Sequence, residues 1–151
     1  MTAERQQQLA DIVYDIIGAA MEVHKEYGFG ISEGVYEEAL CIELEDYGYE
    51  SEAQCDLPVY YKGQLLEKRF RMDIVVENDI IIELKAVDTL LAEHRAQLYN
   101  YLRLTKKPVG ILLNFGRSVR AEKYIYDSET NEVTFFNVKS TRQKDIFDEE
   151  F

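Results

Sequence analysis

Apolar positions recur along this chain in two periods, and the change from one to the other marks its elements. From Glu4 to Tyr27, Leu9, Ile12, Val13, Ile16, Ile17, Ala20, His24 and Tyr27 follow helical spacing, which predicts a long amphipathic helix stopped by Gly28. Gly28-Phe29-Gly30-Ile31 reads as a tight loop. Ser32 can cap a second helix running to about Tyr47, with Val35, Tyr36, Ala39, Leu40 and Leu44 on its apolar side and Gly48 as its stop. The period then shortens. Tyr49–Tyr61 is strand-like, with Pro58 indicating an edge strand or bulge. Lys62-Gly63 is a turn, and Leu65–Val76 and Ile80–Lys85 are further strands. A helix is predicted from about Thr89 to Leu104, with Leu91, Leu98, Tyr101 and Leu102 inward, broken by Lys106-Lys107-Pro108. Val109–Phe115 is nearly all apolar, as in a strand covered on both faces, and Val119–Tyr126 and Val133–Val138 complete the order α-α-β-β-β-α-β-β-β.

Three charges break the apolar pattern at its densest point. In Asp73–Lys85, the β-branched runs Ile74-Val75-Val76 and Ile80-Ile81-Ile82 flank a polar Glu77-Asn78-Asp79 turn, which reads as a hairpin. A three-residue connection pairs Val76 with Ile80 and therefore sets Asp73 opposite Glu83, with Lys85 on the same face as Glu83. A two-residue connection would put Asp73 opposite Leu84 and scatter the charges. The three-residue loop needs a residue at positive φ, which Asn or Asp tolerates. Two carboxylates and an ammonium then converge at the end of an apolar hairpin. Isolated buried carboxylates are costly, so the pair suggests a cation between them.

Length and composition narrow the class. The 151 residues, 46% of them hydrophobic and 30% charged, suit a single globular domain, taken as 1–144 with an acidic, fraying tail at 145–151. The net charge of -12 counts against a broad nucleic-acid footprint, but not against a small site whose divalent ions reverse the local sign. No leader or long apolar run is evident, so a soluble, cytoplasmic protein is expected, with Cys41 and Cys55 as reduced thiols.

An Asp followed by Glu-x-Lys on the next strand suits metal-dependent phosphodiester hydrolysis. Carboxylates hold Mg²⁺, which polarises the phosphate and makes water a better nucleophile, while a lysine neutralises charge developing in the transition state. The competing reading is a structural Glu83–Lys85 salt bridge. For Glu33 it is helix-dipole stabilisation, worth ~0.3–1 kcal/mol; for His24 it is core packing. His94, Gln97 and Tyr101 fall on one face of the third helix.

Gly30-x-x-Glu33-x-x-Tyr36, continuing as Glu37-Glu38-Ala39-Leu40, resembles the signature of the GxxExxY family of the PD-(D/E)XK nuclease superfamily. The resemblance extends through Leu57-Pro58-Val59-Tyr60-Tyr61-Lys62-Gly63, Arg71-x-Asp73, Ile82-Glu83-Leu84-Lys85-Ala86, His94-x-Ala96-Gln97-Leu98-x-Asn100-Tyr101-Leu102 and Gly110-x-Leu112-Leu113-Asn114-Phe115-Gly116, roughly residues 10 to 126. It implies an α/β (α+β) restriction-endonuclease-like fold, a central mixed β-sheet flanked by helices in a single domain. It further implies a Mg²⁺-dependent nuclease, with Mn²⁺ as substitute, acting on DNA or RNA. Glu33, Asp73 and Glu83 correspond to the metal-holding acids and Lys85 to the lysine of the E-x-K pair. Gln97 with Tyr101 resembles the Q-x-x-x-Y element of RecB-like nucleases. Met72 stands where the superfamily's name has proline, a position that often varies. Tyr36, Tyr101 and His94 are accessory candidates, both tyrosines with packing as the simpler role. Lys62, Lys68, Arg69, Arg71, Lys106 and Lys107 are candidate phosphate contacts. The alternative from a different class is a non-catalytic partner-binding or regulatory module on a nuclease-like fold, as a homodimer or with another protein.

Overall fold

In the computed structural model, which describes residues 1–138, the predicted element order is the observed one. Helix α1 spans Ala3–Tyr27 and α2 Glu33–Asp46; strands β1 (Ser51–Tyr61), β2 (Gln64–Val76) and β3 (Ile80–Lys85) follow, then α3 (Ala92–Thr105), β4 (Val109–Phe115), β5 (Val119–Asp127) and β6 (Glu132–Val138). The expected tail at 145–151, and the domain end placed at 144, lie outside the described residues. Among the described residues the strands form one six-stranded sheet in chain order, antiparallel throughout except where β3 and β4 run parallel. That parallel step requires a crossover, and α3 supplies it.

The core has two layers, one on each side of the sheet. On one face, Leu9, Ile12, Val13, Ile16, Ile17, Ala20 and Val23 of α1, with Tyr36, Leu40 and Leu44 of α2, cover Ile74, Val76, Ile80, Ile82, Leu84, Ile111 and Leu113. On the other, Leu98, Tyr101 and Leu102 of α3 cover Val75, Ile81, Leu112, Tyr124 and Tyr126. The alternation of β3 thereby resolves: Ile80, Ile82 and Leu84 belong to the α1–α2 layer and Ile81 to the α3 layer. All of β4 is buried, as its unbroken apolar run requires. Gly110 lets α3 approach it, since a Cβ there would stand 2.9 Å from a methyl of Leu98 and 3.0 Å from one of Leu102.

Some local expectations are corrected. Val35 and Leu91 are exposed rather than inward. Leu91 precedes α3, which begins at Ala92 rather than Thr89, so it lies outside the helical stripe. Ser32 does start α2, but its hydroxyl makes no capping bond; the Val35 and Tyr36 amides instead go to its carbonyl. Pro58 lies on edge strand β1 beside a register shift between Pro58 and Tyr60. Among the described residues, no helix is long and apolar enough to cross a membrane.

Candidate active site

The β2–β3 hairpin sets the geometry. Its register pairs Ile74 with Ile82, Val75 with Ile81 and Val76 with Ile80. The three-residue connection closes with Asp79 N–H donating to the Val76 carbonyl at 3.1 Å. Two of its residues, Glu77 (φ 50°) and Asn78 (φ 60°), are left-handed, one more than the turn was expected to need. A left-handed glutamate costs roughly 1–2 kcal/mol. Two bonds to Glu50 hold it there: Glu77 N–H donates to the Glu50 carbonyl (2.9 Å) and the Glu77 carboxylate accepts from the Glu50 amide (2.7 Å).

The same register sets Asp73 opposite Glu83, and regular pairing ends one step before them. There, side chains replace the ladder. Asp73 N–H donates to Glu83 Oε1 at 3.3 Å, and Leu84 N–H donates to Asp73 Oδ2 at 2.8 Å. Each carboxylate thus has one oxygen tied to the backbone of the opposite strand, which leaves Asp73 Oδ1 and Glu83 Oε2 available to a ligand. Pairing is also irregular on the other side of β2. Gln54, between the Ala53–Ile74 and Cys55–Met72 pairs, is left-handed at φ 56°.

Burial governs the electrostatics. Glu83 is only 2% exposed, and Asp73 is half-buried. Desolvation first, then the neighbouring Asp73, pushes the Glu83 carboxyl up to about 8, with a smaller upward contribution from Glu33; the Asp73 amide and Lys85 oppose this. Burial likewise raises Asp73, against the Leu84 amide and Lys85. Two carboxylates this close titrate as a pair, and near neutral pH the pair retains a proton. Lys85 acts on both through space. Among the described residues it forms no ion pair with either, so the structural Glu83–Lys85 salt bridge is not formed.

Helix α2 brings two further acids. Glu33 is its first residue, exposed, and near enough to raise both Glu83 and Glu37. Tyr36 fixes its approach: the fully buried ring stacks on Phe115 at 4.5 Å, its hydroxyl donates to the Gly28 carbonyl at 2.5 Å, and it accepts from the Ile31 amide at 3.3 Å. The loop before Glu33, with Gly30 at φ 106°, is thereby fastened to the core. Glu37, one turn on, was not assigned to the site from sequence, although its i+4 spacing from Glu33 was the available signal. Its carboxyl is raised by desolvation and by Asp73 and Glu33, while the Gln54 side-chain amide donates to both of its oxygens at 2.9–3.0 Å. Among the described residues, no three His, Cys, Asp or Glu side chains converge closely enough to hold a metal by themselves. The structure therefore joins Asp73 to Glu83 and leaves Glu33 at electrostatic range.

From the opposite layer, α3 presents Gln97 and Tyr101. Gln97 Nε2 donates to the Tyr101 hydroxyl at 2.7 Å, and that hydroxyl donates to the Arg71 carbonyl at 3.2 Å. Tyr101 is 2% exposed, and its hydroxyl is raised by burial and then by Glu83 and Asp73, which places it beside the pair. His94 accepts the Leu91 amide on Nδ1 at 3.1 Å and so closes the start of α3. The helix is pinned by Arg95, whose guanidinium grips the buried Glu122 through Nε (2.9 and 3.1 Å) and a terminal nitrogen (2.9 Å), with Tyr124 donating to the same carboxylate at 3.0 Å. The segment after Lys85 is held by reciprocal bonds between Asn114 and the Val87 backbone, at 3.0 and 2.9 Å. Lys62, Lys68, Arg69 and Arg71 lie on the outer β1–β2 hairpin, whereas Lys107 bonds Asn78 at the β2–β3 turn.

A mixed sheet with helices on both faces and acids at the parting end of a central hairpin is a restriction-endonuclease-like α/β architecture. A sequence model of the PD-(D/E)XK nuclease superfamily matches residues 10–125, and the chain belongs to that superfamily. The solved structure titled "Crystal structure of SSO0001" is similar at 21% identity with a TM-score of 0.39, covering 75% of this chain and 55% of that one. The chain thus spans about half of that protein's length. No curated protein matches the chain.

Proposed function

We propose that this chain is a divalent-metal-dependent nuclease of the GxxExxY branch, hydrolysing phosphodiester bonds in DNA, with RNA as the other substrate to test. The observation that carries the reading is the buried Asp73–Glu83 pair, each carboxylate with one oxygen anchored and one available. Buried acids that hold a proton at neutral pH fit a site whose missing charge is a cation. Mg²⁺ commonly takes only one or two protein carboxylates and completes its shell with water and phosphate, so a pair suffices. Asp73 and Glu83 would hold it, with Mn²⁺ as substitute, and Glu33 would contribute from the rim. Such a cation neutralises phosphate charge and makes water a stronger nucleophile.

The chain's own groups supply the rest. Lys85 offers positive charge where the phosphate accumulates negative charge. Gln97, with its amide nitrogen spent on Tyr101, has its carbonyl oxygen to orient the attacking water or Lys85. Glu37 is held back by Gln54 and shapes the potential around Asp73.

The test is cleavage of plasmid, single-stranded DNA and RNA by purified protein with and without Mg²⁺ or Mn²⁺, with Lys85→Ala purified identically as the control for contaminating nucleases. Cleavage that needs both metal and Lys85 supports the reading. The net charge of -12 favours the second reading, a non-catalytic binding module. No metal binding and no cleavage across the panel would overturn the nuclease reading.

A further inference from the structure

The β1–β2 hairpin runs well past the body of the sheet. Residues Tyr61 to Arg69 are all exposed, so the outer ribbon has neither face covered. Two-stranded ribbons gain little stability by themselves. This one is closed by a tight Lys62-Gly63 turn, both residues at positive φ (50° and 76°), between paired Tyr61 and Gln64. Its composition departs from the rest of the chain. Residues 58–69, whose ends Pro58 and Arg69 pair across the ribbon, carry three of the 17 cations (Lys62, Lys68, Arg69) but only one of the 29 acids, Glu67, while Arg71 at the base pairs with Asp56 at 3.7 Å. A segment of net charge +2 thus projects from a protein of net charge -12. Aromatic rings stand among these charges: Tyr60 is 62% and Tyr61 65% exposed, and Lys62 lies over the Tyr61 ring at 5.7 Å.

Strand β2 connects this ribbon directly to the carboxylate pair. Arg69 lies four residues before Asp73, about 13 Å away at the rise of a strand, and the turn about 33 Å away. Resting on the nuclease reading above, we infer that the outer β1–β2 hairpin is an arm that holds an unpaired nucleic-acid strand leading away from the cleavage site. The cations follow the backbone phosphates, and Tyr60 and Tyr61 offer rings to unstacked bases. Groups of this kind bind single strands with little sequence preference. A duplex keeps its base faces stacked inside and would use the cations alone. The charge favours a polyanion over arm-to-arm pairing with a second copy of this chain, because two arms of +2 repel, and a nucleic-acid strand offers the phosphates and exposed base faces that both the cations and the tyrosines can use.

The experiment measures binding separately from chemistry. The full-length protein is titrated with a fluorescein-labelled 20-nucleotide single strand, and with the corresponding duplex, in Ca²⁺ with cleavage checked to be absent, over a range of salt. The variants are Lys62→Glu/Lys68→Glu/Arg69→Glu and, separately, Tyr60→Ser/Tyr61→Ser, each checked by circular dichroism. The charge reversal is expected to weaken single-strand binding at least tenfold and to flatten the log–log salt dependence by about two, at roughly 0.7 per phosphate contact. The tyrosine pair is expected to weaken single-strand binding about tenfold or more, with less effect on duplex. Should the charge-reversed protein not fold, the tyrosine pair alone decides. Unchanged single-strand binding in either variant, a loss in the tyrosine pair that is equal on duplex, or a parent that binds neither probe overturns the arm. A parent that sediments as a dimer and becomes monomeric in the tyrosine variant, with binding intact, overturns it in favour of self-association. Hydrolysis of bis(p-nitrophenyl) phosphate by the parent in Mn²⁺ is measured alongside. That substrate needs no arm, so its failure counts against the carboxylate site and not against strand binding.

Discussion

Replacing Glu83 by glutamine should stabilise the metal-free protein at high pH and leave it little changed at low pH. The folded protein holds the Glu83 proton to about pH 8, against an ordinary value of 4.5. A carboxyl raised on folding gives the folded state more bound protons than the unfolded state between those two values. Stability on its account is therefore greatest below about pH 4.5, falls as pH rises, and levels off above 8. The span is about 3.5 pH units, and at ~1.36 kcal/mol each the loss approaches a ceiling of about 5 kcal/mol, less whatever local relaxation recovers. Glutamine has nearly the shape of the protonated acid, and its oxygen can still accept the Asp73 amide. The assay is urea unfolding of parent and Glu83→Gln in EDTA from pH 5 to pH 9. The two curves should converge near pH 5 and diverge by a few kcal/mol by pH 9, with the variant more stable. Parallel curves would mean that Glu83 titrates as an ordinary surface acid and would refute the reasoning. Metal should act in the opposite sense: the parent should release close to one proton on binding Mn²⁺ at pH 7 and fewer at pH 9, measured by calorimetry in buffers of different ionisation enthalpy.

Asp73→Ala should lose both Mn²⁺ binding and cleavage, whereas Lys85→Ala should keep metal binding and lose cleavage by about a hundredfold or more, read by calorimetry beside single-turnover kinetics. Arg95→Ala leaves Glu122 buried without its cation; the guanidinium is partly exposed, so a loss of about 2 kcal/mol is expected, below the 3–5 of a fully buried pair, and Glu122→Gln in the same chain should recover part of it in thermal unfolding. Tyr36→Phe removes both hydroxyl bonds to the Gly28–Ile31 loop and should cost about 1–2 kcal/mol in chemical unfolding. Its cleavage rate should fall further than stability alone explains, because that loop places Glu33.

The hairpin register was legible because its determinants are local. Two β-branched triplets around Glu77-Asn78-Asp79 leave few ways to close the turn, and only the three-residue closure keeps Asp73 and Glu83 on one face. The helical stripes were legible for the same reason, with Val35 in the first turn of α2 and Leu91 just before α3 misplaced where an apolar residue sits at the margin of a helix. What escaped notice depends on contacts between distant segments. Gln54 meets Glu37 from a left-handed position in β1 opposite Asp73, and nothing in Ala53-Gln54-Cys55 announces a left-handed residue. Arg95 and Glu122 meet across the α3–β5 packing, 27 residues apart. Ser32 had the right chemistry for a cap, but its hydroxyl makes no capping bond and only its carbonyl joins the first turn. His94 was a candidate contact for phosphate or metal by residue type, yet its ring closes the first turn of α3.

Asp73 and Glu83 also show how a sheet can carry a charged site without losing its edge. Had β2 and β3 stayed fully paired, Leu84 N–H would have met the Met72 carbonyl, and the two carboxylates would simply have stood on one face. Instead the strands part after Ile74 and Ile82, and Asp73 Oδ2 takes the place of that carbonyl. The orphaned amide is satisfied by a group that also carries charge, and the Asp73 amide is satisfied by Glu83 in return. Both acids are therefore fixed by the backbone before any ligand arrives, so little side-chain freedom remains to be lost when one binds. The same anchoring prevents the pair from swinging apart to relieve its repulsion. Taking up a proton is then the relief left to it without a cation, and for this reason proton release and cation binding at this site should be a single event.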